Sequence, residues 1–133
     1  MKRAIASDRA PKAVGPYSQA VAFGDLLFCA GQIPLDPETG EITGADVAAQ
    51  TERVIENIRA LLIVNSMTLT DVVKTTVFLT TMEDFAAMNA VYARHFSEPF
   101  PARSTVAVVA LPRGAKVEIE VTAAKHKVAG SKA

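Results

Sequence analysis

The sequence has too little cysteine to be held together by disulfides. Among its 133 residues only Cys29 is a cysteine, and one cysteine cannot close an internal bridge. No long apolar run follows the basic start Met1-Lys2-Arg3, so no signal peptide is predicted. Both features favour a reducing, cytoplasmic location. Cys29 lies in an apolar segment, where we expect a small buried hydrophobic residue.

The sequence also lacks excess charge and membrane-length apolar runs. Fourteen Lys and Arg residues balance 14 Asp and Glu residues, so no global field attracts nucleic acid. No apolar stretch approaches the ~20 residues that a membrane helix requires. We therefore expect a small-molecule ligand, with no nucleic-acid partner and no membrane.

Motifs for several kinds of catalysis are missing. There is no G-x-S-x-G nucleophile motif, and the glycines assemble no phosphate loop or dinucleotide fingerprint. His95 and His126 have no cysteine, histidine or carboxylate at metal-ligand spacing, so both are expected at the surface. We predict neither a metal nor a cofactor.

The size and composition are those of one globular domain. The chain is 50% apolar, and its length predicts a single domain over residues 1–133. Residues 125–133 are polar and basic, which indicates a flexible tail.

Strands are predicted where apolar or β-branched residues dominate, over residues 18–23, 26–30, 72–79, 105–111 and 117–123. Gly24-Asp25 between the first two indicates a tight hairpin. The nearly continuous apolar run 105–111 predicts a strand that is covered on both faces. The strand over residues 117–123 alternates, which places one face in the core.

Two amphipathic helices are predicted between these strands. Apolar residues at three- and four-residue spacing predict a helix over 47–64, capped by Asp46. Thr80 and Glu83 resemble a capping box that opens the second helix, whose buried stripe is Phe85, Met88, Tyr92 and Phe96 and which Pro99 and Pro101 end.

The predicted fold is α+β, with two helices on one face of a mixed sheet. The other face needs a cover, and a second copy of the chain would supply one, so we infer a homo-oligomer.

One arginine stands out in the segment Pro99-Phe100-Pro101-Ala102-Arg103-Ser104. Two prolines stiffen the approach to Arg103, which starts a predicted strand. A guanidinium matches a carboxylate in two parallel hydrogen bonds. On this reasoning alone, a structural ion pair with Glu118 or Glu120 is an equal alternative to ligand binding.

The chain resembles the reactive intermediate deaminase (Rid) family from Gly15 to Glu120. The segments that carry the resemblance are Gly15-Pro16-Tyr17-Ser18-Gln19-Ala20, Gly31-Gln32-Ile33-Pro34-Leu35-Asp36-Pro37, Val73-Lys74-Thr75-Thr76-Val77-Phe78-Leu79, Pro101-Ala102-Arg103-Ser104, Leu111-Pro112 and Val117-Glu118-Ile119-Glu120.

The resemblance implies a homotrimer of chorismate-mutase-like subunits, with a central barrel and clefts between subunits. It also implies an enzyme that needs no cofactor, a 2-iminobutanoate/2-iminopropanoate deaminase. Such an enzyme hydrolyses reactive enamine and imine intermediates, 2-aminoacrylate and 2-iminobutanoate, to 2-oxo acids and ammonia, and it acts on the C=N bond of the imine form. The alternatives are a regulatory or chaperone-like module that binds small carboxylates without turnover, and a ribonuclease.

The resemblance also assigns roles to five residues. Arg103 would bind the substrate carboxylate and Glu118 would hold the attacking water, while Tyr17, Gly31 and Asn89 would line the substrate site. Tyr17 could instead be a packed aromatic residue, and Asn89 could merely point off the helix stripe. Which of Glu118 and Glu120 faces the cleft stays open.

Two positions depart from many family members. Ala30 replaces a serine, so a hydroxyl is lost next to Gly31. Thr105 replaces a cysteine but keeps a polar atom, and we expect this change to be mild.

Overall fold

The structure is a computed structural model of the protein and describes residues 1–126. Its elements in chain order are β1 (Arg3–Ile5), β2 (Ala20–Phe23), β3 (Leu26–Gln32), α1 (Val47–Val64), β4 (Val72–Leu79), α2 (Phe85–His95), β5 (Ala102–Ala107) and β6 (Val117–Ala124). No helix within these residues is both long and apolar enough to cross a membrane.

The six strands form one mixed sheet in the order β1-β2-β3-β6-β4-β5. Strands β4 and β5 are parallel, whereas the other neighbours are antiparallel. Both helices pack on one face, and the core lies between them and the sheet. This arrangement confirms the predicted α+β fold. We refer to the other side of the sheet, which no element of residues 1–126 covers, as the open face.

Helix α1 has the predicted bounds because two local signals agree with its packing. The Asp46 side chain accepts a hydrogen bond from the Ala49 backbone N–H at 2.9 Å, as a helix cap should. The apolar positions at helical spacing, including Ile55, Ile58 and Leu62, are fully buried.

The predicted capping box of α2 is wrong. Thr81, not Thr80, accepts a hydrogen bond from the Glu83 backbone N–H, at 3.2 Å, and it opens a short 3₁₀ turn over Met82–Asp84 before the helix begins. Because of this turn, α2 starts at Phe85, after the residues that resemble a capping box. The predicted stripe is otherwise confirmed, because Met88, Tyr92 and Phe96 are buried and Phe85 packs against the core.

The strand predicted over 105–111 is wrong in its bounds. Strand β5 starts at Ala102 and ends at Ala107, and it lies at the edge of the sheet beside β4. Within one chain Val106 is 43% exposed and Val109 is wholly exposed. The apolar run therefore includes a surface that one chain leaves open, and the expectation that a second copy of the chain covers it stays a prediction.

The two ends of the chain add contacts that the sequence did not indicate. Strand β1 pairs with β2 at the far edge of the sheet. At the other end, the Lys125 N–H donates to the Asp25 carbonyl at 2.9 Å, and His126 Nδ1 lies 2.7 Å from Asp71 Oδ1. The remainder of the predicted tail, 127–133, lies outside the described residues.

Candidate active site

Arg103 is held on the helix-covered face of the sheet by neutral groups. It pairs in register with Thr75 of β4, and its Nη1 donates to Asn89 Oδ1 at 2.7 Å. Its Cζ lies 4.7 Å from the ring centroid of Tyr92 and 5.5 Å from that of Phe85. These are the distances of cation–π contacts.

No carboxylate among residues 1–126 forms an ion pair with Arg103. The alternative of a structural ion pair with Glu118 or Glu120 is therefore not what the fold contains. The guanidinium has five N–H donors, and its one side-chain hydrogen bond, to Asn89, leaves donors for a ligand. It borders a cleft of about 410 Å³, lined by Asn89, Tyr92, Ala93, Phe100, Pro101 and Arg103.

Glu118, Gly31 and Tyr17 meet in a second cleft, of about 350 Å³. The register of β3 against β6 shifts between Cys29 and Gln32, and such bulges are common beside functional sites. A Cβ on Gly31 would lie 2.9 Å from Glu118 Cδ, so glycine alone leaves room for this carboxylate. Tyr17 is 54% exposed within one chain, so it is not part of that chain's core.

Glu118, rather than Glu120, faces the cleft that contains Gly31. Glu120 also lies on the open face but pairs with Thr76, in a separate hollow that Lys74 helps to line. Burial, and to a lesser extent the negative charge of Glu120, raise the pKa of Glu118. Glu118 is therefore a stronger base than an ordinary glutamate.

One chain does not bring Arg103 and Glu118 together. Arg103 pairs with Thr75, which is fully buried against α2, whereas Glu118 pairs with Phe78 of β4. Neighbouring residues of a strand point to opposite faces, and Phe78 follows the buried Val77. Arg103 and Asn89 thus lie on one side of the sheet, and Glu118 projects from the other.

Sequence reasoning assigned Tyr92 and Phe85 to the core and missed their contact with Arg103. Phe85 and Tyr92 lie four residues before and three residues after Asn89 on α2, and such residues share a helix face. The expected role of Asn89 in the site could therefore have indicated both aromatic residues.

The remaining reactive groups are placed away from these clefts. Cys29 is buried, as expected, and burial raises the pKa of its thiol to about 12. His126 is exposed as predicted, but His95 is only 20% exposed because it packs between Arg59 and Glu52. Across the described part of the chain, no three His, Cys, Asp or Glu side chains are grouped so that they could hold a metal ion.

Comparison with known proteins gives consistent matches over almost the whole chain. Residues 7–125 match the family model described as endoribonuclease L-PSP. A RutC family protein of Pyrococcus horikoshii is 52% identical over 126 residues, which cover 95% of this chain and 100% of that protein. A crystal structure from Yersinia pestis, described as a protein of unknown function of the conserved Rid family, has a TM-score of 0.91 at 46% identity and covers 94% of this chain and 100% of that one.

The chain belongs to the endoribonuclease L-PSP (Rid) family. A further relative, from Escherichia coli, is 44% identical over 129 residues, which cover 95% of this chain and 100% of that protein, and it is named 2-iminobutanoate/2-iminopropanoate deaminase.

The two departures from the Rid pattern lie close to the site residues. Ala30 lines the second cleft beside Gly31. Thr105 lies two residues after Arg103, and its hydroxyl is buried without a hydrogen-bond partner among the residues described. A buried hydroxyl without a partner costs about 1 to 3 kcal/mol.

Proposed function

We propose that the protein is a 2-iminobutanoate/2-iminopropanoate deaminase, which hydrolyses 2-aminoacrylate and 2-iminobutanoate to 2-oxo acids and ammonia. The observation that carries this proposal is the Arg103 guanidinium, which neutral groups hold beside a cleft without a carboxylate partner among residues 1–126. A partly buried cation of this kind suits a small carboxylate ligand. The name of the Escherichia coli relative supports the same reaction.

In the proposed mechanism, Arg103 binds the substrate carboxylate and Glu118 orients a water molecule towards the imine carbon. Glu118 takes a proton as the water oxygen bonds to that carbon. Glu118 then returns the proton to the nitrogen, and the C–N bond breaks as the hydroxyl oxygen forms the carbonyl; ammonia leaves, and the hydroxyl proton passes to Glu118 and on to solvent. The enamine 2-aminoacrylate enters this sequence once protonation of its CH2 carbon has converted it to the imine. The raised pKa of Glu118 suits this role, since a base works best when its pKa approaches the working pH. The protonated imine is already electrophilic, so positioning contributes most of the catalysis.

Because Arg103 and Glu118 project from opposite sides of one sheet, the proposed site needs two chains. We propose a homotrimer of chorismate-mutase-like subunits around a central barrel. Each cleft would combine Arg103 and Asn89 of one chain with Tyr17, Gly31 and Glu118 of its neighbour. Exposed apolar side chains on and around the sheet support an interface between copies; they include Phe23, Phe28 and Val106.

Two further parts of the proposal come from the sequence. We propose that residues 1–133 form one domain, most of which the family model spans. We also propose a cytoplasmic location, because the lone Cys29 forms no disulfide within the chain.

A coupled assay tests the proposed function. A serine dehydratase generates 2-aminoacrylate, and the rate of pyruvate release is measured with the protein, without it, and with Arg103→Ala. We expect acceleration by the natural protein alone. If pyruvate release is unchanged although the protein binds 2-oxo acids, it is a carboxylate-binding module and the proposal is wrong.

The family description also names a ribonuclease, an activity that the balance of 14 basic and 14 acidic residues disfavours. RNA cleavage that persists in Arg103→Ala, without any imine hydrolysis by the natural protein, would overturn the deaminase proposal.

A further inference from the structure

Tyr92 lies against the Arg103 guanidinium, and its own ring is held firmly. Its hydroxyl forms a hydrogen bond of 2.8 Å with Thr75 Oγ1. The ring also stacks on Phe96, with centroids 4.3 Å apart. Tyr92 is only 4% exposed and Thr75 is fully buried. The ring therefore cannot leave its position without breaking a buried hydrogen bond.

These contacts form a continuous cycle of interactions that includes Arg103. Thr75 is the register partner of Arg103 in the pairing of β4 with β5. Its hydroxyl holds the Tyr92 ring, and the ring supports the guanidinium. Three residues before Tyr92 on the same helix, Asn89 accepts the hydrogen bond from Arg103 Nη1. Contacts from β4 and α2 thus determine both the position and the orientation of the guanidinium.

The support from Tyr92 uses none of the N–H donors of Arg103. Burial raises the pKa of the Tyr92 phenol, against smaller opposite effects of Thr75 and Arg103, so the ring stays neutral. A neutral aromatic face attracts a cation through its quadrupole. A carboxylate in its place would instead occupy the donors that a ligand needs.

We propose that Tyr92 is a positioning residue, which holds the Arg103 guanidinium so that its N–H donors point into the cleft that a substrate carboxylate enters. This inference rests on the proposed role of Arg103 in binding that carboxylate. It adds that affinity for the carboxylate depends on the electron density of the ring at position 92.

The first test measures binding of 2-oxobutanoate by calorimetry. Tyr92→Leu removes the aromatic face and should weaken binding about three- to thirtyfold. Tyr92→Phe keeps the face and should bind within about threefold of the natural protein. The control is Leu62→Ala, which removes a fully buried side chain of α1 that makes none of the contacts described here for Tyr92 and Arg103; it should lower the melting temperature but change affinity less than about twofold. A folded Tyr92→Leu protein with unchanged affinity would overturn the inference.

A second test does not depend on whether Tyr92→Leu folds. Position 92 is filled with phenylalanine analogues that carry increasing numbers of fluorines, which keep the shape of the ring but weaken its quadrupole. Affinity for 2-oxobutanoate should fall stepwise, by about tenfold over the series. If affinity for 2-oxobutanoate does not change across the series, the ring only fills space and the inference is wrong.

The same series in an Arg103→Ala background separates this inference from the proposed function. Suppose that Arg103→Ala abolishes 2-oxobutanoate binding, while the fluorinated series in the natural background shows no change in affinity. Only the proposed role of Tyr92 is then wrong. If Arg103→Ala binds 2-oxobutanoate as the natural protein does, the proposed role of Arg103 is wrong, and the inference about Tyr92 fails with it.

Discussion

Replacing Arg103 with lysine tests whether the geometry of the guanidinium matters or only its charge. The guanidinium uses one N–H for Asn89 at 2.7 Å and lies 4.7 Å from the Tyr92 ring centroid. It can therefore present two further N–H groups to a carboxylate. A lysine ammonium is a point donor and cannot keep both the Asn89 contact and a two-point grip. The protein should stay folded, while its affinity for substrate and its turnover rate decrease.

The expected size of the defect follows from the interaction that is lost. Disrupting a desolvated, charge-assisted pair costs about 2 to 5 kcal/mol, which corresponds to a fall of about 30-fold to several thousandfold in kcat/KM. The loss should be large for imines with a free carboxylate and small for their esters, because only the carboxylate binds the guanidinium.

The assay uses the dehydratase-coupled release of 2-oxo acid, with melting temperature and sedimentation as measures of folding and assembly. Arg94→Lys is the matched control, since Arg94 is an exposed arginine on the same helix as Asn89 and its side chain is 62% accessible. It should behave as the natural protein. Nearly full activity in Arg103→Lys, or equal losses on acids and esters, would refute the assignment of Arg103 as the carboxylate site.

Three further predictions concern the pH profile, the assembly and the departure at position 30. The raised pKa of Glu118 means that kcat/KM should be lost on acidification at a higher pH than the ~4.3 of an ordinary glutamate. Glu120→Gln should move this acid limb to lower pH, and an acid limb that persists in Glu118→Gln would contradict the assignment. Sedimentation at micromolar concentration should give about three times the mass of the 14.1 kDa chain, and mixing inactive Arg103→Ala and Tyr17→Ala chains should restore some activity. A monomer, or no recovery in mixed trimers, would contradict the shared cleft. Ala30→Ser should fold normally and change the rate of imine hydrolysis by adding a hydroxyl beside Gly31, so unchanged kinetics on several imines would show that the departure is neutral.

The elements that could be predicted from sequence are those in which local signals and packing agree. Helix α1 and strand β4 have their predicted bounds, since periodicity, capping and burial all favour the same residues. The start of α2 could not be predicted, because Thr80 and Thr81 are both plausible caps and only the turn that precedes the helix distinguishes them. The bounds of the strand after Arg103 could not be predicted from the apolar run, because hydrophobicity does not tell whether apolar residues lie in a strand or on a surface that another chain covers.

The sequence by itself determined that this is an α+β chain, and the motifs around Arg103 and Glu118 were sufficient to indicate the family. Only the tertiary structure decided where the side chains of these motifs lie. The pairing of Thr75 with Arg103 and of Phe78 with Glu118 sets the two charged groups on opposite faces of the sheet. The fold also supports Arg103 with Tyr92, which the sequence presents only as one more apolar position on a helix. The physical reason is that strand register and helix packing arise from contacts between distant segments, which no local pattern specifies.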